Sequence, residues 1–294
     1  MKFALHFCNL VCPDPDSARR LAVAAEAAGF EALICIEHVV WPTDYRSTYP
    51  YAESGKLPGG PDTVLPDPLI WMAWAAGQTQ QLNFMTGILI LPQRNPLVLA
   101  KEVASLDYMT GGRIRLGIGV GWLEEEFDAI GVPFARRGAR TDEYIAAMRA
   151  LWGGDDVSCH GDFVRFDGMN CNPKPENGSV PIIVGGHSEA AARRAGRLGD
   201  GFFPATGAPV DIAPVIDLMR RTAEEAGRDP AAVELTTGCP AALADSVDER
   251  LEAVAAARAR GVDRIALPVP AFLPDLEDRL TAYGETVIRP ASAA

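Results

Sequence analysis

The chain reads as an α/β protein, a (β/α)8 TIM barrel with one insertion after its second strand and another before its fifth. Three observations lead there. Short runs rich in apolar and β-branched residues alternate with Ala-rich helical stretches from end to end, the pattern of parallel strands joined by crossover helices. Eight core strands can be counted, more than open doubly wound sheets usually have. The length of 294 residues suits a barrel of roughly 250 residues plus additions, so residues 1–294 are expected to form a single domain.

Residues 3–8 (FALHFC) give the first strand. A helix over 17–28 follows, opened by Ser17 as N-cap and stopped by Gly29, and residues 32–36 (ALICI) give the second strand. After the long connection 37–66, a helix begins near Asp67. Strand three covers 83–91 (NFMTGILIL), a helix covers 97–109, and strand four covers 114–118. The second half supplies a helix over 139–152, a β-hairpin at 157–166 within the long connection 153–180, strand five at 181–184 (PIIV) and a helix starting at Ser188. The last strands are 201–203, 233–237 and 263–267, with helices near 211–226, 247–259 and 274–286. Connections as long as 37–66 and 153–180 are uncommon in compact domains, so both are candidates for forming a site.

Composition narrows the function classes. With 48% hydrophobic and 22% charged residues, the chain is that of an ordered globular protein. Its 27 Lys and Arg against 39 Asp and Glu give a net charge of −12, which repels nucleic acid and anionic lipid, so neither is expected as a partner. The opening MKFALHFCNL has too short an apolar run for a signal peptide and lacks a small-residue cleavage site. No segment approaches the roughly 18 unbroken apolar residues of a membrane helix. A cytoplasmic location is expected. Six cysteines lie without CxxC spacing, several inside apolar runs such as that of Cys35, and Cys8 and Cys12 have no second ligand cluster near them, so no metal site is expected.

In such a barrel the ligand site lies at the carboxyl ends of the strands, which gives weight to Cys8-Asn9, Glu37-His38, Leu91 to Arg94, Gly119 to Trp122 and Gly185 to Ser188. Glu37-His38 sets a carboxylate beside an imidazole, a pair that titrates near neutrality; an idle loop histidine is the plain alternative. The following stretch, with Trp41, Tyr45, Tyr49 and Tyr51, suits a pocket wall or lid, or else a packing loop or dimer contact. Gly185-Gly186-His187-Ser188 ends a strand and opens a helix with Arg193 and Arg194 early in it, an anion cradle or a simple capped turn. Gly117-Ile118-Gly119-Val120-Gly121 lacks the third glycine of GxGxxG, where Trp122 stands, and Glu124, Glu125 and Glu126 would repel a pyrophosphate. These glycines are read as room for a flat ring at the rim, and the acids as suiting a helix N-terminus without catalytic duty. In Thr86-Gly87-Ile88-Leu89 a glycine interrupts a strand, a signal of a bulge, of strain or of a ligand against the backbone. There is no GxxxxGK[ST] loop, HExxH helix or GxSxG elbow.

Taken together, Glu37-His38, Leu91-Pro92-Gln93-Arg94-Asn95-Pro96 with Ala100-Lys101-Glu102, Leu106-Asp107 to Arg113, Gly117 to Trp122 with Glu126-Phe127, and Gly185-Gly186 to Asp200-Gly201 resemble the bacterial luciferase-like superfamily. More narrowly, the chain resembles its actinobacterial members predicted to use the deazaflavin coenzyme F-420. The likeness spans about residues 1–205. It implies an isoalloxazine or deazaflavin ring in the barrel mouth and a non-prolyl cis peptide at Gly87-Ile88 buttressing that ring. It also implies His38 as acid or base, Thr86, Gly87 and Ile88 with Glu37, His38, Gly119, Val120 and Gly121 around the ring, and Gly185, Gly186, His187 and Ser188 as the phosphate turn. Homodimers are the usual assembly. Sugar-phosphate dehydrogenases of the superfamily carry a catalytic acid where Val120 stands and another after strand one, where this chain has Cys8-Asn9-Leu10. Trp41 approximates their active-site tryptophan at a different spacing from His38.

These readings lead to hydride transfer between coenzyme F-420 and a small organic substrate, with His38 as acid/base and Trp41 beside it. The alternatives are an FMNH2-dependent monooxygenase fed by a flavin reductase, with FMN as cofactor, and a barrel that binds flavin without catalysis.

Overall fold

A computed structural model describes residues 1–204 and 211–293. In chain order the elements are β1 (Lys2–His6), α1 (Cys8–Val11), α2 (Pro15–Ala28), β2 (Ala32–Cys35), α3 (Pro68–Ala76), β3 (Asn83–Thr86), β4 (Leu89–Ile90) and α4 (Pro96–Thr110). Then come β5 (Ile114–Gly119), α5 (Glu124–Ala129), α6 (Arg137–Gly153), β6 (Val157–His160), β7 (Arg165–Met169), β8 (Ile182–Gly185), α7 (Glu189–Leu198) and β9 (Gly201–Phe203). The chain continues through α8 (Ala213–Glu225), β10 (Glu234–Gly238), α9 (Val247–Ala259), β11 (Arg264–Pro268) and α10 (Leu276–Tyr283), and ends in α11 (Arg289–Ala293) after a wide turn at Gly284–Ile288.

Every pairing in the main sheet is parallel, and contacts of β1 with β11 and of β3 with β5 close it into a ring. The result is the expected eight-stranded barrel wrapped by helices. Strand three does not run through 83–91. It breaks at Gly87-Ile88, whose peptide is cis, and resumes as the short β4, which stays in register with β5 through Leu89↔Ile118 and Ile90↔Gly119. The hairpin β6–β7 is antiparallel and runs to Met169, three residues past the expected end at 166.

Three helices start alike, with a short side-chain acceptor followed by proline: Asp14-Pro15, Asp67-Pro68 and Asn95-Pro96. Each carboxylate or amide oxygen takes the two amides that the helix start leaves free, and proline has no amide to satisfy. The cap of α2 is therefore Asp14, not Ser17; the Ser17 hydroxyl is itself bonded to Asp14. Strand one likewise ends at His6 rather than at residue 8, and Cys8 begins a helical turn packed in the core outside the barrel.

Alternation along the strands separates two cores. Outward residues such as Leu5, Leu33, Phe84, Leu116 and Val184 join the helices. The barrel interior holds a second cluster of Ala4, Ala32, Ile34, Met85, Ile183, Phe203 and Ala266. Below it, at the amino ends of the strands, Arg264 is fully buried between Glu31, 2.7 Å away, and Glu234, with Arg115 and Lys2 beside them. A closed floor of charges and a packed middle leave the carboxyl ends as the open end.

Candidate active site

His38 stands three residues beyond Cys35, the end of β2, and its Nδ1 lies 3.2 Å from Glu126 Oε2. The ring is flanked by Trp41 at 5.4 Å and Trp122 at 6.1 Å between centroids. Glu126, buried in the first turn of α5, also accepts from Val39 N (2.6 Å), Val40 N (3.2 Å) and Gln93 Nε2 (3.2 Å). Burial works to raise its pKa, but the bonds from His38, Gln93 and Val39 outweigh it and hold the carboxyl below the usual glutamate value.

The neighbouring acid has a similar task. Glu125 accepts from Arg46 N (2.6 Å), Ser47 N (3.2 Å) and the Ser47 hydroxyl (2.7 Å), while Glu124 N donates back to Ser47 Oγ. Two of the three acids read as mere helix-terminus charges thus hold the 37–66 connection to the rim. From there aromatic rings carry it across the mouth. Tyr45 and Tyr49 lie edge-on to Trp122 at 5.6 and 5.1 Å, Tyr49 meets Tyr51 at 5.3 Å, and Tyr51 meets His187 at 5.0 Å. Asn9 ties both ends of this segment, bonding Ile36 and Pro66.

Glu37 faces away from that wall. Its carboxylate takes Ile90 N and the guanidinium of Arg94, which also reaches Asp67, so Glu37 holds β4 to the end of β2 and is not free for a ligand. Thr86 is fully buried and donates to the Gly117 carbonyl, leaving only its backbone near the mouth. Gly119 and Gly185 both face Ile88: a Cβ on either would overlap its side chain. Their smallness admits Ile88 itself, where the sequence suggested room for a ring at Gly119 and an anion cradle at Gly185. Val120 is half-buried at the rim, and the Gly121 carbonyl accepts from Arg137 Nε at 3.0 Å.

At the end of β8, Gly186 has φ +114°, open to glycine and strained for other residues. Ser188 caps α7 through Ala191 N, and among the described residues the amides of His187, Ser188, Glu189 and Ala190 have no acceptor. Free amides at a helix start beside a left-handed glycine fit an anion such as phosphate. The arginines contribute less than their positions promised. Arg194 is turned back onto Asp142 and Gly138 O, and Arg193 lies in solvent against Glu189.

One mouth residue escaped the sequence reading. His6 projects inward at the end of β1, stacks on Phe7 at 3.9 Å, lies 5.5 Å from Phe203, and meets the Gly87 carbonyl through Nε2 at 3.1 Å. Desolvation drives its pKa down to about 4, against the pull of that carbonyl, so near neutral pH the ring is uncharged and donates from Nε2. The signal was present in the alternation Lys2, Ala4, His6; extending the strand to residue 8 hid it.

The sequence model of the family described as luciferase-like monooxygenase matches residues 6–289. The chain belongs to that family. A luciferase-like protein of this kind is an oxidoreductase. Among its relatives, an uncharacterized protein of Mycobacterium tuberculosis is 36% identical over 208 residues, covering 71% of this chain and 72% of that protein. The FMNH2-dependent dimethylsulfone monooxygenase of Pseudomonas putida is 34% identical over 218 residues, 73% of this chain and 55% of that protein. The coenzyme F-420 dependent tetrahydromethanopterin reductase of Methanopyrus kandleri superposes with a TM-score of 0.78 at 17% identity, covering 98% of this chain and 99% of that one; at that identity the likeness is one of fold.

Proposed function

We propose that this luciferase-like oxidoreductase transfers a hydride between coenzyme F-420 and a small organic substrate, with His38 moving the accompanying proton. The observation that carries the reading is His38 itself, fixed by a buried carboxylate and walled by Trp41 and Trp122 on the same barrel end as the free-amide turn at Gly186 to Ala190. The resemblance of the strand-end segments to F-420-using members favours the deazaflavin, and the Methanopyrus reductase is a fold relative with that coenzyme.

The turn at Gly186, His187 and Ser188 would hold the cofactor's phosphate, and Gly87, Ile88 and the rim at Gly119 to Gly121 would bound its ring. Bound there, the deazaflavin supplies a two-electron carrier whose ring carbon disfavours oxygen activation. The chain supplies the rest. Trp41, Trp122 and the tyrosines of the 37–66 segment exclude water from the reacting end, which strengthens each polar contact inside. His38 accepts a proton from the substrate when it is oxidised and returns one when it is reduced. A cavity of about 350 Å³ touches His38 from the side of Glu37, Asp67 and Arg94, with Val39, Leu65, Gln93 and Ile130 completing its lining; Trp41, Trp122 and the Gly186 turn do not line it.

One observation favours a second reading. The dimethylsulfone monooxygenase shares 34% identity over most of this chain, and an FMNH2-dependent oxygenase here would need a flavin reductase as partner. The discriminating experiment is binding of oxidised F-420 and of FMN followed by fluorescence. Assembly as a homodimer belongs to the same proposal: neighbouring helices α3 and α4 expose Ile70 (71%), Trp74 (51%), Val98 (55%) and Met109 (83%), an apolar face suited to a second copy. Light scattering would contradict it by giving 31.4 kDa, the mass of one chain.

A further inference from the structure

We infer that Glu126 is the positioning residue that fixes His38 with its proton on Nδ1, so that Nε2 is the atom through which the proton is exchanged. The consequence for turnover rests on the acid/base reading of His38 given above; the tautomer itself does not.

The argument is one of donors and acceptors. The Glu126 side chain is only 2% exposed and receives four bonds, two on Oε1 from Val39 N and Val40 N and two on Oε2 from His38 Nδ1 and Gln93 Nε2. An ionised carboxylate only accepts, so a hydrogen must sit on Nδ1 for that contact to be a bond. Neutral imidazole then has its lone pair on Nε2, which makes no hydrogen bond among the described residues. A proton taken up at Nε2 yields an imidazolium whose Nδ1–H is already bonded to the carboxylate, so the ring need not reorient. The orientation of Gln93 agrees: its NH2 turns to Oε2 and its own Oε1 is left buried without a partner.

Other charges near the pair are engaged elsewhere. Glu37, the chain neighbour of His38, and Asp67 both bind Arg94. Glu125, beside Glu126 on α5, faces Ser47 and the amides of Arg46 and Ser47. Glu126 is therefore the carboxylate that acts on the His38 ring directly.

The test is ¹⁵N NMR of ring nitrogens in protein labelled at its four histidines, with the His38 signals assigned by loss in His38→Gln. Spectra from the alkaline plateau, where the ring shifts no longer change with pH, report the neutral ring. The wild type is expected to show His38 as the Nδ1–H tautomer. In Glu126→Gln the amide oxygen can keep the loop amides while its NH2 replaces Oε2 and donates to Nδ1, so the tautomer should invert to Nε2–H. With it, kcat should fall by about 100-fold while KM and cofactor affinity change little. Glu125→Gln, which loosens the loop without touching either ring nitrogen, should leave the tautomer as in the wild type. An Nε2–H or mixed ring in the wild type overturns the inference, even if Glu126→Gln does not fold, and so does inversion in Glu125→Gln. Should the tautomers follow this pattern while His38→Gln keeps full turnover, the assignment of Glu126 stands and the acid/base role of His38 fails.

Discussion

At the residue scale, two adjacent acids divide the work of holding the site. Glu126 orients His38; Glu125 clasps the connection that carries Trp41 and the tyrosines. Under the proposed function, His38→Ala is expected to lower kcat by about 100-fold or more while cofactor affinity stays within a few-fold, since the ring would move a proton and would not bear the phosphate; steady-state turnover with a cofactor titration checks both. Glu125 gives a pH prediction. Slight burial would raise its pKa, but the Ser47 hydroxyl and the amides of Arg46 and Ser47 pull it from 4.5 to about 2. A depressed folded-state value means that the clasp is fully present above pH 4.5 and is lost as pH falls through about 2. Tryptophan fluorescence from Trp41 and Trp122 should report a loosening in that window, and Glu125→Gln should abolish it; an unchanged acid transition in the variant contradicts the clasp. His38 was legible in the sequence because it follows a strand end. The roles of the acids were not, since a run of glutamates at a helix start is fully explained by the helix dipole and its loop partners lie some eighty positions earlier.

At the element scale, the break in strand three organises the mouth. Ile88 fills a gap that only glycine at 119 and 185 leaves open, and Glu37 with Arg94 secures the segment that follows. Gly119→Ala is expected to cost about 1–3 kcal/mol by displacing Ile88 and to weaken cofactor binding with it. Gly60→Ala, where an added Cβ meets nothing within 4 Å, should stay within about 0.5 kcal/mol of the wild type. Chemical denaturation and a cofactor titration compare the two. The eight strands and most helices were readable because alternation and helical period reach every element. Ends were less so. Strand one was drawn two residues too long because Phe7 and Cys8 continue its apolar run, and strand three was drawn unbroken because apolar residues lie on both sides of Gly87.

At the scale of the whole molecule, the barrel is closed by charge at one end and open at the other. Arg264→Met removes the fully buried guanidinium that bonds the part-buried Glu31 and Glu234, which keep Arg115 and Lys2 as partners, and should cost about 1.5–3 kcal/mol in denaturant unfolding. A loss below about 1 kcal/mol would contradict a floor held by that network. Such a floor leaves the carboxyl ends as the barrel's open mouth, where His38, the Gly186 turn and the aromatic segment converge. The chain belongs to the luciferase-like family, and under the proposed function the identity of the bound ring would decide between hydride transfer and oxygenation. The most direct measurement is parallel fluorescence titration of the protein with oxidised coenzyme F-420 and with FMN. Saturable F-420 binding, weakened by a bulky substitution at Gly186, with FMN bound more weakly, is the predicted result. Tight FMN binding with no response to F-420 would contradict the account.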